Sequence, residues 1–110
     1  MSEDELGRTI ARLSADYAAQ LPGTVAQMEE LWRRIVAAEL PLSQLSELLR
    51  TAHSISGSGA TFGLPGASEA AGELELFMER LIDSGRPPGP AEHEVARALL
   101  AAIRQAAAQC

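Results

Sequence analysis

Apolar side chains recur every three or four residues along most of the chain, which is the period of amphipathic helices. The first such stripe consists of Leu6, Ile10, Leu13 and Tyr17. It predicts a helix over residues 3–18, in which Ser2 and Glu5 have the spacing of a capping box. Because proline and glycine both disfavour helix interiors, Leu21-Pro22-Gly23 predicts a break after this helix.

Two further helices are predicted between this break and residue 63. The apolar stripe of the second consists of Val25, Met28, Trp32, Ile35 and Val36. We expect that helix to end near Glu39, and the third to open at Pro41, where the missing N–H is harmless. One face of the third helix carries Leu45, Leu48, Ala52, Ile55, Gly59 and Phe62. Gly63 is placed to end it.

The last two helices are separated by a proline- and glycine-rich loop over residues 85–90. Pro65 and Gly66 precede a wide stripe that runs to about Ser84 and should make the fourth helix central. Its members are Ala67, Ala70, Ala71, Leu74, Phe77, Met78, Leu81 and Ile82. The final helix begins with acidic residues and continues with Val95, Leu99, Leu100 and Ile103.

The pattern contains no alternating strand of useful length, so the predicted class is all-α. Short connections between long helices favour antiparallel neighbours. We therefore predict one domain over residues 1–110: an antiparallel up-and-down four-helix bundle over residues 21–110, with an additional N-terminal helix over residues 1–20 that covers one end.

Charge and composition narrow the function. The net charge is −6, and the nine basic residues are arginines without a cluster that could neutralise phosphates, so no nucleic acid partner is expected. The acidic start of the chain does not resemble a secretory signal, and no apolar run is long enough for a membrane span. The chain has a single cysteine, Cys110, so no intrachain disulfide can form. As the last residue, Cys110 is expected to lie in a fraying terminus. We expect a cytoplasmic protein with no membrane contact.

The candidate reactive residue is His53. On the third helix it lies on the side that faces solvent, about 130° from the middle of the apolar stripe. The same face, within about 60° of His53, carries Leu42, Ser46, Leu49, Arg50, Ser56, Gly57 and Ala60. The turn beyond the histidine thus has only small side chains. Gly57 points outward and should cost about 1 kcal/mol relative to alanine, so open access to His53 is the functional explanation for it.

The run from Ala52 to Gly63 reads A-H-S-I-S-G-S-G-A-T-F-G, with Leu74-Glu75 downstream. This pattern resembles the histidine-containing phosphotransfer (HPt) domain family, whose signature is roughly H-x-L-K-G-S, a glycine ten residues after the histidine, and L-E farther on. The resemblance covers residues 42–81. One position departs from it: the family commonly has lysine where this chain has Ser56, and Arg50 is the candidate replacement cation.

The resemblance implies that His53 accepts a phosphoryl group from an aspartyl-phosphate of a response-regulator receiver domain and passes it on. A neutral imidazole can attack phosphorus without a general base. No intrinsic cofactor or metal is expected, since Mg²⁺ comes with the receiver, and there is no P-loop of an autonomous kinase. Expected partners are a receiver domain and a hybrid histidine kinase, which dock on Leu42, Ser46, Leu49 and Ala60, and the chain is expected to be a monomer.

Three alternatives remain open. A phosphorylation-independent adaptor or inhibitor would bind a receiver or kinase without using His53, and Ser56 favours it. The dimerisation domain of a histidine kinase also carries a surface histidine, but it resembles H-E-x-R-T-P there and requires a dimer. A metal-dependent bundle enzyme would need paired Glu-x-x-His motifs, which are missing. His93, at the polar start of the last helix, is expected to be solvated.

Overall fold

A computed structural model describes residues 2–108 and contains four α-helices. They are α1 (Glu3–Val36), α2 (Leu45–Ser58), α3 (Pro65–Ser84) and α4 (Pro90–Ala108), with a short 3-10 helix at Leu42–Gln44 before α2. The helices pack as a bundle, and within residues 2–108 there is no strand. The all-α four-helix bundle is therefore confirmed. Cys110 lies outside the described residues.

The predicted break at Leu21-Pro22-Gly23 is wrong, because α1 continues through Pro22 without interruption. A proline inside a helix costs about 3 kcal/mol through its missing N–H and its clash with the preceding turn. Pro22 and Gly23 lie on the exposed side of α1. The neighbouring Leu21 and Val25 are buried against the other helices, and their burial offsets the cost of the proline.

The first helix also does not cover an end of the bundle as predicted. A helix of this length spans about 51 Å, which accounts for nearly all of the 53 Å long axis of the molecule. Its first turns project beyond the shorter helices, and Leu6, Ile10 and Leu13 remain about half exposed. Ser2 caps the helix as expected, accepting a hydrogen bond from the backbone N–H of Glu5 at 3.2 Å.

Tyr17 is where the N-terminal part of α1 meets the bundle. Its ring stacks on Phe62, in the connection between α2 and α3, with ring centroids 5.0 Å apart. Burial raises the pKa of the Tyr17 hydroxyl. The end of the bundle that holds the α2–α3 connection is therefore the end from which α1 projects.

The core runs between the helices and is made of aliphatic side chains with one indole. Its largest fully buried members are Trp32, Leu45, Leu48, Leu74, Met78, Leu100, Ile103 and Val25. The fourth predicted helix, α3, packs against both α2 and α4, and each of the other helices likewise packs against two neighbours. Helix α3 begins with Pro65 in its first turn and ends before Gly85, which adopts the left-handed conformation at φ +66°.

The third predicted helix is shorter than expected at both ends. Residues 42–44 form the 3-10 helix, and α2 ends at Ser58 rather than continuing to Gly63. Close backbone hydrogen bonds, such as Leu64 N–H to the Gly59 carbonyl at 2.7 Å, fold residues 59–64 into a tight connection. Gly63 takes up a left-handed φ of +84° in this connection.

Candidate functional site

His53 lies in the second half of α2 and points away from the core. Its side chain is 76% exposed, whereas Ala52 and Ile55 on the other face of the helix are buried. The amphipathic pattern of α2 thus fixes the direction of the imidazole. The histidine is accessible to a large partner without any rearrangement of the bundle.

One nitrogen of the His53 ring is held by α3. His53 Nδ1 lies 2.7 Å from Oε2 of Glu75, whose side chain is only 22% exposed. An ionised carboxylate can only accept, so Nδ1 carries the hydrogen and donates it. In the neutral ring, Nε2 is then the nitrogen with a free lone pair. The pair of residues therefore presents an oriented nucleophile to solvent.

The surface next to His53 is open at Gly57, as the sequence predicts. A Cβ atom at Gly57 would meet no atom within 4 Å outside its own helix. Ser56 lies differently: it is half-buried and faces α3, where its hydroxyl would be 3.3 Å from a Cβ at Gly72. Of these two residues, only Gly57 contributes open space above the helix.

Arg50 shares the exposed face of α2 with His53 but is engaged in the other direction. Its guanidinium lies 3.4 Å from the carboxylate of Glu47, one turn earlier. The Arg50 side chain is 74% exposed, and such exposed pairs are held weakly. The arginine is therefore free to turn toward an incoming anion at little energetic cost.

The four predicted docking residues lie in the short 3-10 helix, on α2 and in the connection that follows α2. Leu42 lies before α2 in the 3-10 helix, and Leu49 lies on α2 itself; both are half-buried at the edge of the core. Ser46 is exposed, and its hydroxyl donates to the Ser43 carbonyl at 2.8 Å. Ala60 is exposed in the connection that follows α2. Leu49 and Ser46 are the members that share a helix with His53.

His93 is not a solvated residue, contrary to the sequence-based expectation. It is half-buried, and the indole N–H of Trp32 donates to its Nδ1 at 2.9 Å. Trp32 itself is only 1% exposed. An indole nitrogen can only donate, so Nδ1 of His93 accepts and the neutral ring carries its hydrogen on Nε2. This contact joins α1 to the start of α4.

Glu75 is the site residue that sequence reasoning missed. In the sequence it is part of a two-residue motif with Leu74, and no spacing rule pairs it with a residue 22 positions away. Its place in α3 offers one signal: it directly follows a fully buried leucine, at the border of the apolar stripe. Side chains at such a border face the neighbouring helix.

Comparison with known proteins places these features in a family. A family model described as Hpt domain matches residues 12–108. No curated protein and no solved structure gives a significant match. Within residues 2–108, no helix has the length and apolar character needed to cross a membrane, and no three histidine, cysteine or acidic side chains form a group able to hold a metal ion.

Proposed function

The chain belongs to the Hpt domain family, and from this premise we propose that it is a histidine phosphotransfer protein in which His53 carries the phosphoryl group. Domains of this family are phosphoryl carriers of two-component phosphorelays and interact with receiver domains and histidine kinases. The observation that supports His53 is its 2.7 Å contact with Glu75, which leaves Nε2 unprotonated on an exposed side chain.

In the proposed step, His53 Nε2 attacks the phosphorus of an aspartyl-phosphate on a receiver domain. The N–P bond forms as the P–O bond breaks, and the aspartate keeps the electron pair as a carboxylate. The ring still bears its hydrogen on Nδ1, so the phosphorylated imidazole is cationic. The Glu75 carboxylate, which already accepts that hydrogen, stabilises the positive charge. Attack by the aspartate of a second receiver reverses the step and returns the electron pair to Nε2.

This chain supplies the nucleophile, and the receiver supplies the rest of the site. Phosphoryl transfer requires compensation of the oxygen charges, which Mg²⁺ bound to the receiver provides. Gly57 and Ala60 leave room for the receiver above the helix, and Arg50 is available to contact a phosphoryl oxygen. Leu42, Ser46 and Leu49 extend the proposed docking surface toward the start of α2. The protein acts as a monomer and takes its phosphoryl group from a receiver domain, such as that of a hybrid histidine kinase.

Intact-mass analysis tests this proposal directly. The protein is incubated with a phosphorylated receiver domain and Mg²⁺, beside the His53→Ala variant. We expect the wild type to gain one phosphoryl group that is lost in acid, and the variant to gain none. Since His53 is highly exposed, the variant should retain the circular dichroism spectrum and melting temperature of the wild type.

The adaptor hypothesis gives a different outcome in the same experiment. If wild-type protein binds several phosphorylated receivers but gains no phosphoryl group from any of them, His53 is not a phosphoacceptor and the proposal is wrong. Equal binding of the wild type and the His53→Ala variant would then identify the chain as a binding module.

A further inference from the structure

Helices α2 and α3 are in close backbone contact directly after the end of α2. A Cβ at Gly59 would lie 2.9 Å from the backbone nitrogen of Ser68, closer than side chains approach, so any larger residue would push the helices apart. The Ser68 hydroxyl also donates to the Ser56 carbonyl at 2.5 Å. The two backbones are therefore fixed to each other at this level of the bundle.

Ser56 and Gly72 form the next contact in the direction of His53. Ser56 lies one turn before Gly59, and Gly72 lies one turn after Ser68. A Cβ at Gly72 would be 3.3 Å from the Ser56 hydroxyl, which is tighter than most real contacts. The serine side chain thus occupies the space that a side chain at position 72 would need. The pair holds the helices at the separation that one small side chain requires.

One more turn in the same direction brings His53 opposite Glu75. His53 precedes Ser56 by three residues, and Glu75 follows Gly72 by three residues, so the two pairs are neighbours on facing helix surfaces. The hydrogen bond between His53 and Glu75 is 2.7 Å long. Hydrogen bonds are lost beyond roughly 3.5 Å, so a separation of the helices by about 1 Å at this level is enough to break it.

We infer that Gly72 is a positioning residue for the phosphoacceptor. Because Gly72 has no side chain, Ser56 can lie against α3. The resulting distance between α2 and α3 keeps the Glu75 carboxylate within hydrogen-bond reach of His53 Nδ1. The position at which the family commonly has lysine is thus used here for helix packing. The importance of His53 rests on the proposed function, but the contact between the helices does not.

Nitrogen-15 NMR of the His53 ring tests the inference without any phosphorylation. The ring shifts report which nitrogen bears the hydrogen, and Glu75→Ala gives the reference spectrum of an unheld ring. We expect Gly72→Val to move the His53 signals to the positions seen in Glu75→Ala. Gly23→Val makes the same substitution at an exposed helical glycine with no neighbour within 4 Å, and should leave the His53 signals unchanged.

A size exchange provides the rescue. Combining Gly72→Ser with Ser56→Gly moves the hydroxymethyl group from α2 to α3, and we expect the His53 signals to return to their wild-type positions. Gly72→Ala, whose single added carbon lies 3.3 Å from the Ser56 hydroxyl, should give a smaller shift in the same direction if Gly72→Val does not fold.

The inference is wrong if a folded Gly72→Val protein has the His53 signals of the wild type. If the valine variant is unfolded, wild-type His53 signals in Gly72→Ala overturn the inference instead. A failure of the proposed function is distinguishable from both. In that case wild-type protein gains no phosphoryl group, although its His53 ring still shows the hydrogen on Nδ1 and still responds to Gly72→Val.

Discussion

The two histidines of this chain use their ring nitrogens in opposite ways. His53 donates from Nδ1 to the Glu75 carboxylate, which leaves the Nε2 lone pair on a side chain that is 76% exposed. His93 accepts at Nδ1 from the indole N–H of Trp32, so its lone pair is already bound inside the protein. Both rings have a single well-placed partner. The nature of that partner, an acceptor or a donor, decides whether the remaining nitrogen is a nucleophile.

For the proposed phosphoacceptor role, the two histidines differ both in exposure and in which ring nitrogen is free. A carboxylate partner orients the ring, fixes the hydrogen on the inner nitrogen and stabilises the cation that forms on attack. An indole partner orients the ring equally well but consumes the lone pair. His93 is thus a structural contact between α1 and α4, and His53 is the residue with both access and the required protonation pattern.

The largest expected effect is that phosphoryl acceptance depends entirely on His53 and not at all on His93. After incubation with a phosphorylated receiver and Mg²⁺, His93→Ala should gain one acid-labile phosphoryl group, and His53→Ala should gain none. Intact mass measured on both variants, at a temperature at which both are folded, checks this. A phosphoryl group on His53→Ala that disappears only when His93 is also removed would reverse the assignment.

Replacing the carboxylate partner should slow transfer strongly without abolishing it. In Glu75→Gln the amide oxygen can still accept from His53 Nδ1, but the negative charge is gone. A hydrogen bond to a charged group is worth about 1.5–3 kcal/mol and one between neutral groups about 0.5–1.5 kcal/mol, so the difference of about 1–1.5 kcal/mol corresponds to a rate lower by about 5- to 12-fold. Rapid-quench measurement of the transfer rate tests this.

The matched control for that experiment is Glu79→Gln, which removes an exposed charge one turn farther along α3. It should leave the transfer rate close to that of the wild type. Equal rates for the two variants would mean that the Glu75 charge has no part in transfer.

The variant that keeps transfer should be the less stable one: we expect His93→Ala to lower the free energy of unfolding more than His53→Ala does. His93→Ala leaves the buried Trp32 N–H without its partner, so we expect the free energy of unfolding to fall by about 1–3 kcal/mol. His53→Ala should change it by less than this, because the ring is 76% exposed and water can replace it on the Glu75 carboxylate. Urea denaturation followed by the fluorescence of Trp32, the single tryptophan of the chain, measures both.

His93→Gln refines this stability test, because its side-chain oxygen can accept from the indole. It should recover part of the loss. No difference between the alanine and glutamine variants would show that the Trp32 contact contributes packing rather than a hydrogen bond.

Much of the bundle is predictable from the sequence because α3 and the core stripe of α1 are encoded locally. Pro65 at the start of α3 and Gly85 directly after its end mark the same bounds as the apolar stripe between them. The break at Pro22 is wrong for an instructive reason. Tyr17, Leu21 and Val25 are spaced by four residues and continue one stripe past the proline, so burial on both sides outweighs the local preference of Pro22.

The site is less predictable because its defining contacts join distant parts of the chain. The exposed face of α2 follows from periodicity and identifies His53 as a candidate. The partner of its second nitrogen depends on the register of α2 against α3, and Glu75 is 22 residues away. His93 lies in a polar first turn that suggests solvent, yet the indole that binds it is 61 residues away. Such registers are set by packing, which no single-helix pattern contains.

The smallest expected effect concerns the charge that the family commonly has three residues after the histidine. In Ser56→Lys, the first carbon of the stem takes the place of the serine hydroxyl against Gly72, and the rest of the stem can run along the surface and bring the ammonium group beside His53. An exposed charge pair contributes at most about 1 kcal/mol, so the phosphorylated state should last up to about fivefold longer, and less so at high salt.

Ser56→Met has a similar stem without the charge, so the packing of the stem against α3 is common to both variants. A longer lifetime in the lysine variant alone would show that missing charge limits this site. Equal lifetimes in the two variants would contradict that prediction, and would mean that Arg50 or the receiver already supplies the charge that the phosphoryl group needs.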